Sequence, residues 1–266
     1  MIQKIFFATI VVIFLLGLYG LVTVYQSYRE NRAARIAQMQ EQAEEVKVTI
    51  IEGWTMEEIA AELEAKDLFT AEQFLEAAEQ FDTSLYAYIV KPNNTSLEGF
   101  LFPDTYRFAK ESTPDDVIGR MLENFAIRLR SAGVTQDQQL FTIPNYEDLD
   151  INGADREPGL SLYDVITMAS IIEQESGGKG AVSGPMSLDE ERGLVASVFY
   201  NRLSIGQGLE SDATVNYITG KNTPGVSFND TQINSPYNTY LYAGMPPGPI
   251  GNPSLGSIKA ALNPAA

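Results

Sequence analysis

The stretch Ala169-Ser-Ile-Ile-Glu-Gln-Glu-Ser176 lodges two carboxylates, Glu173 and Glu175, in a run that otherwise reads as buried helix. Upstream, Ser161 followed three residues later by Asp164 has the form of a capping box, and Leu160 before it can staple onto Val165. Val165, Ile166, Met168, Ala169, Ile171 and Ile172 then fall on nearly every side of the cylinder, so this helix is expected to be surrounded by protein. Gly177 and Gly178 mark its expected end. Glu173 stacks over Ala169, Ser170 and Ile166, and Glu175 over Ile171, Ile172 and Met168. A carboxyl in apolar surroundings resists ionising, as a proton donor must. The pattern leaves both acids equivalent, and a frayed last turn would let both reach solvent.

Composition narrows the chemistry. The 266 residues contain no His and no Cys. That removes Ser-His-Asp triads, Cys-His pairs, imidazole or thiolate zinc sites and disulfides together. Carboxylates, Tyr, Lys, Ser and backbone dipoles remain, and no cofactor or metal is expected. A formal charge of -17, from 18 Lys and Arg against 35 Asp and Glu, argues against a nucleic-acid partner.

The uncharged run Ile5–Tyr25 is long enough to cross a hydrocarbon core and longer than a usual signal-peptide core, which predicts an uncleaved anchor. A removed signal peptide is the alternative. Only Lys4 and the amino terminus precede the run, while Arg29, Arg32 and Arg35 come after it. Counting charges therefore disfavours export of the C-terminal part of the chain, although long domains are translocated largely regardless.

This punctuation divides the chain into four segments: an anchor over 1–28, a helical stalk or linker rich in Arg, Ala, Gln and Glu over 29–45, a small unit over 46–90, and a larger domain over 91–266. In the small unit Val46–Ile51 alternates like a strand, and Thr55 with Glu58 and Thr70 with Gln73 cap two helices. Such a unit can be a spacer or a docking module. Lys91-Pro92-Asn93-Asn94 is a turn-rich boundary. Beyond it, Leu97–Phe108 predicts strand pieces around a turn at Pro103-Asp104, and Thr113 with Asp116 caps a helix through Val117, Met121 and Phe125. Gln136–Pro158 reads as loop. Ser187 with Glu190 caps a helix whose apolar positions are Leu194, Val195, Val198, Phe199 and Leu203. From Gly208 onward Gly, Pro, Asn and Tyr predict long shaped loops, which commonly carry binding. Helices and strand pieces cluster instead of alternating, so the expected class is α+β.

Five blocks stand in a telling order: Glu98–Tyr106 (EGFLFPDTY), Ala169–Glu175 (ASIIEQE), Val195–Leu203 (VASVFYNRL), Leu209–Tyr217 (LESDATVNY) and Ser235–Pro264 (SPYNTYLYAGMPPGPIGNPSLGSIKAALNP). In these blocks the chain resembles the endolytic murein transglycosylase family, also called MltG or YceG-like. The unit over 46–90 is similar to the family's LysM-like subdomain, and the anchor also matches. The resemblance implies a single-pass protein of the cell (inner) membrane, held by residues 5–25, with its catalytic domain on the extracytoplasmic side. Its implied substrate is peptidoglycan, cut inside glycan strands between N-acetylmuramic acid and N-acetylglucosamine to leave 1,6-anhydro ends. Peptidoglycan synthases are the implied protein partners.

By the same resemblance the catalytic acid is Glu173, the first Glu of the ASIIE motif. The implied glycan groove contains Glu175, Tyr200, Asn201, Arg202, Ser211, Asp212, Thr214, Tyr237, Asn238, Thr239 and Tyr240, which offer hydroxyls, amides and rings to sugars. Each has a plain alternative as packing, surface or turn. The chain departs from the family pattern twice. Ala213 stands where Pro is usual, and the sequence stops at Ala266, where members continue into a further strand-like segment and a Gly-His stretch. Either the catalytic domain over 91–266 is a C-terminally short variant or its terminus is missing, and a lost segment would leave the groove with one wall open. Two other functions stay in view: a non-catalytic glycan-binding scaffold of the wall-synthesis machinery, and a two-carboxylate hydrolase pairing Glu173 with Asp212 or Glu175.

Overall fold

The computed structural model describes residues 17–33, 45–93, 95–136, 138, 140–147, 149, 159–176, 186–221, 223 and 225–266. By contacts the chain divides into Met1–Glu45 and Val46–Ala266. In the first unit residues 17–33 form helix α1, along which Leu18, Leu21, Val22 and Val24 are exposed. Among the described residues no helix is long and apolar enough to cross a membrane. Residues 5–16 of the expected span lie outside them.

The second unit is mixed α+β. Strand β1 (Glu45–Thr49) leads into α2 (Met56–Ala65) and α3 (Ala71–Gln80). It pairs with β2 (Thr105–Ala109). The amide of Ile50 continues the pairing by donating to Asp104 O at 2.9 Å. The strand of the 46–90 segment thus finds its partner beyond residue 90. Next come α4 (Pro114–Ser131), the short antiparallel pair β3 (Leu140–Phe141) and β4 (Leu160–Ser161), α5 (Leu162–Glu175), α6 (Leu188–Ser204), α7 (Asp212–Thr219), a 3-10 turn (Asp230–Gln232) and α8 (Leu255–Leu262).

Helix starts obey local chemistry closely. Thr55, Thr70, Thr113, Ser161 and Ser187 each accept from the amide three residues on, and the residue there returns a bond to the cap amide. The central element is α5. Val165, Ile166, Met168, Ala169, Ile171 and Ile172 are all completely buried, and α8, α6 and α7 pack around it. Its last residue is Glu175, and Ser176 closes the turn by donating to Ile172 O at 2.9 Å. The expected glycine end lies outside the described residues.

Three expectations are corrected. Leu97–Phe102 forms turns and only β2 is strand. Leu97, Phe100, Leu101 and Phe102 are all buried, so this run has no alternating faces, and Gly99 takes φ +88°. A Cβ on Gly99 would sit 2.6 Å from Pro249 Cγ and 2.8 Å from Ile166 Cγ2. On α6 the inward face is Arg192, Gly193, Ala196, Phe199, Tyr200 and Leu203, which leaves Leu194 and Val198 half exposed. Two helices, α7 and α8, occupy the region expected to be loop. Ser254 caps α8, accepting from the Ser257 amide at 3.3 Å, and the helix-forming run after it packs on α5.

Because Asp164 Oδ2 takes bonds from both the amide (2.9 Å) and the hydroxyl (2.6 Å) of Ser161, this cap anchors the start of the core helix. Ser161→Ala is expected to lower unfolding stability by about 1 kcal/mol, read by denaturant titration. A change near zero would mean that tertiary packing alone fixes the helix start.

Candidate active site

Two residues apart on a helix means about 200° apart around it, so Glu173 and Glu175 leave the last turn of α5 in nearly opposite directions. Glu173 turns toward α6 and α8. Its side chain is 8% exposed, Oε1 accepts from Arg192 Nη2 at 3.1 Å, and Oε2 accepts from the Ser254 amide at 2.9 Å and from the Ser254 hydroxyl. The carboxylate thus meets the N-terminus of α8, where backbone N–H groups and the helix dipole favour negative charge. The sequence predicts apolar surroundings for this residue. Its oxygens meet polar donors instead.

Arg192 is itself buried and serves three acids. Besides Glu173 it reaches Glu52 Oε2 at 3.5 Å and, through Nη1, Asp189 Oδ1 at 3.3 Å. Glu52 comes from the turn after β1, which is tied down from two sides. The Gly53 amide donates to Asn252 O at 2.8 Å, and Gln174 Nε2 donates to Gly53 O at 2.6 Å. Gly53 takes φ +82°, and a Cβ on Gly251 would lie 2.5 Å from Gly53 O, so the two segments touch through backbone.

Beneath this contact Asn252 is fully buried and fully employed. Its Nδ2 donates to Glu98 Oε1 at 2.8 Å and to Trp54 O at 2.9 Å, while its Oδ1 accepts from the Leu101 amide at 2.9 Å. Glu98 Oε2 accepts from the Met56 amide at 3.0 Å. Burial is the largest influence on Glu98 and pushes its carboxyl up to about 8, despite the lowering effect of the Met56 and Gly99 backbone amides.

Glu175 faces the other way. Its Oε1 accepts from Ser211 Oγ at 2.5 Å, and because of that bond Ser211 does not cap α7 with its side chain. The Ser211 amide donates to Thr239 Oγ1 at 3.0 Å, Thr214 and Thr239 share a hydroxyl contact at 2.9 Å, and Tyr240 donates to Asp212 Oδ1 at 2.6 Å. Six expected groove residues therefore form one connected wall. Tyr237 packs its ring 5.1 Å from that of Tyr217 on α7. The other four make different contacts, although Asn238 also accepts from the amide of the wall's Tyr240 at 3.1 Å. Tyr200 is wholly buried and donates to Ala261 O at 2.7 Å, and Asn238 is wholly buried and closes its loop onto Thr231 O and Ile233 O. Arg202 donates to Leu209 O, and Asn201 accepts from Tyr146 at 2.9 Å. These are scaffold contacts.

Sequence reasoning missed Arg192, Ser254, Glu52, Glu98 and Asn252. Glu98, Asn252 and Ser254 lie within the quoted sequence blocks, whereas Glu52 and Arg192 lie outside them and left no signal in the periodicity.

The YceG-like family model matches residues 23–266, and the chain belongs to that family. Curated relatives named endolytic murein transglycosylase include one from Streptococcus pneumoniae serotype 2, 32% identical over 238 residues, and one from Bacillus subtilis strain 168, 30% identical over 230 residues. The first alignment covers 81% of this chain and 38% of the relative, the second 82% and 56%. This chain thus matches only part of the length of each. A crystal structure of a yceG-like protein from Listeria monocytogenes is also similar, with a TM-score of 0.63 and 26% identity over 89% of this chain and 72% of that one.

Glu98 makes a stability prediction with a definite sign. Its folded-state value is raised from 4.5 to about 8, so its contribution is fully present below the unfolded value and is lost as pH rises through the folded one. Unfolding stability should therefore fall between about pH 5 and about pH 8.5. The fall should be clearly shallower in Glu98→Gln, which keeps the shape and cannot ionise. Equal slopes in the two proteins, measured by urea titration, would remove Glu98 as the cause.

Proposed function

We propose that this protein is a membrane-anchored lytic transglycosylase that cuts peptidoglycan glycan strands internally, between N-acetylmuramic acid and N-acetylglucosamine. The observation that carries the reading is the carboxyl of Glu173, sequestered at the end of the core helix and ringed by donors, in a chain whose relatives are named endolytic murein transglycosylases.

Glu173 acts first as general acid. Its proton passes to the glycosidic oxygen as the bond from that oxygen to muramic C1 breaks. The carboxylate left behind is the species that Arg192 and the amide and hydroxyl of Ser254 stabilise. It then takes the proton of the muramic C6 hydroxyl as O6 bonds to C1, closing the 1,6-anhydro ring and restoring the acid. No water enters the products. Since the nucleophile belongs to the same sugar, orientation alone can supply several kcal/mol of the barrier, and one carboxyl suffices where hydrolases generally use two.

The wall of Glu175, Ser211, Asp212, Thr214, Thr239 and Tyr240, together with Tyr237, supplies hydroxyls and rings for neighbouring sugars. The 46–90 segment serves as a LysM-like docking unit. The exposed apolar side chains along α1 favour a membrane-embedded N-terminus, and the proposed substrate requires the catalytic unit on the extracytoplasmic side, close to peptidoglycan synthases.

Purified peptidoglycan digested with the full chain in detergent is expected to release fragments ending in 1,6-anhydro-muramic acid. Glu173→Gln should lower their rate of release by at least about a hundredfold. Ordinary reducing ends would make the protein a hydrolase. No products at all would support a glycan-binding scaffold, and full activity in Glu173→Gln would remove that residue from the chemistry.

A further inference from the structure

Glu52 shares one nitrogen with Glu173. Arg192 Nη2 stands 3.1 Å from Glu173 Oε1 and 3.5 Å from Glu52 Oε2. Glu52 is no loose surface acid, because the bonds of Gly53 to Asn252 and Gln174 fix its turn to the same two segments that hold Glu173. Its side chain nevertheless stays 57% exposed, on the open side of the site.

A proton donor in this position faces a difficulty. Arg192 and both donors of Ser254 point at the Glu173 oxygens, an arrangement suited to the anion. For a proton to reside on Glu173, Nη2 needs another anion, because the exposed Asp189 holds only Nη1. Glu52 is within reach. Arg192 Nε has no hydrogen-bond partner, so the fork is not locked bidentately onto one carboxylate. Gly256 lies so close to Nη1 that a side chain there would press on the guanidinium, and its absence gives Arg192 room.

We propose that Glu52 is a positioning residue that takes Arg192 while Glu173 holds its proton and yields it once that proton has gone. This rests on the reading of Glu173 as the proton donor. When the proton leaves for the glycosidic oxygen, Nη2 closes onto the new Glu173 anion. When Glu173 regains a proton from the C6 hydroxyl, Nη2 returns to Glu52. Protons balance over the cycle, and the buried cation never lacks a partner.

Few charged groups surround Glu173 among the described residues. From α6 come Arg192 and, on its Nη1, the exposed Asp189; from the turn after β1 comes Glu52; α8 offers only the neutral Ser254, and Glu175 on α5 faces Ser211 instead. The carboxyl of Glu52 lies above the usual range, chiefly through burial and next through the charge of Glu173, against the lowering effect of Arg192. The two acids therefore disfavour being ionised together.

The test uses the full chain in detergent, as wild type, Glu52→Gln and Glu52→Asp, with kcat and KM on purified peptidoglycan measured across pH. A parallel 13C-carboxyl NMR titration tracks Glu173, assigned by its loss in Glu173→Gln. In Glu52→Gln, kcat at neutral pH should fall roughly tenfold, as expected for losing one nearby charge, with KM little changed. The basic limb of the rate profile and the Glu173 titration should both move to lower pH, and Glu52→Asp should restore most of each. A rate loss with neither pH feature moved would reduce Glu52 to a structural role and overturn the proposal. So would wild-type behaviour in Glu52→Gln. If the wild type formed no anhydro ends, the activity reading would fall by itself. The NMR titration would then decide the proposal alone, a downward move supporting the shared guanidinium and an unmoved midpoint overturning it.

Discussion

One buried guanidinium organises the candidate site. Arg192 brings carboxylates from three places in the sequence to a common point: Glu52 after β1, Glu173 at the end of α5 and Asp189 on its own helix. Removing a charge from water is costly unless it is paired, so a cation at this depth fixes where its acids must lie. The pairing brings together the turn after β1, the end of α5 and α6. Ser254, at the start of α8, completes the enclosure of Glu173.

Behind that cluster, Asn252 and Glu98 form a rigid backing. Asn252 uses its amide, carbonyl and both side-chain groups to join the turns at Trp54, Leu101 and Glu98, and Glu98 is held from its other oxygen by Met56. A catalytic carboxyl works only if its distance to the scissile bond is held closely. The Asn252 node ties the turns beside Glu173 together through backbone and side-chain bonds alike, as the proposed role of that carboxyl requires. The wall built on Glu175 and Ser211 is attached to the same helix turn, so both sides of the candidate groove inherit the placement of α5.

Much of the helical fold was legible in the sequence because it is local. Five Ser or Thr caps, each with its partner three residues on, announce five helix starts, and the apolar run from Val165 to Ile172 announces a helix buried on all sides. What was not legible is long-range or masked by turn chemistry. The Glu98–Asn252 bond joins residues 154 apart. The last helix begins after Gly251-Asn252-Pro253, which reads as loop, and Ser211 gives its hydroxyl to Glu175 instead of announcing α7. Periodicity placed Phe199 and Leu203 on the inner face of α6 but also gave it Leu194 and Val198, while Arg192 occupies an inward position that a hydropathy pattern gives to solvent. Of the residues the family resemblance pointed to, Glu173 and the Glu175 wall are brought to one helix end, whereas Tyr200 and Asn238 are spent on packing.

The central claim is that Glu173 drives an intramolecular displacement, with the muramic C6 oxygen and not water attacking C1. Digestion of peptidoglycan in water enriched in oxygen-18, with mass spectrometry of the new muramic ends, tests it most directly. The account predicts ends that carry no solvent oxygen and are one water lighter than a reducing sugar. New ends carrying one oxygen-18 would contradict it.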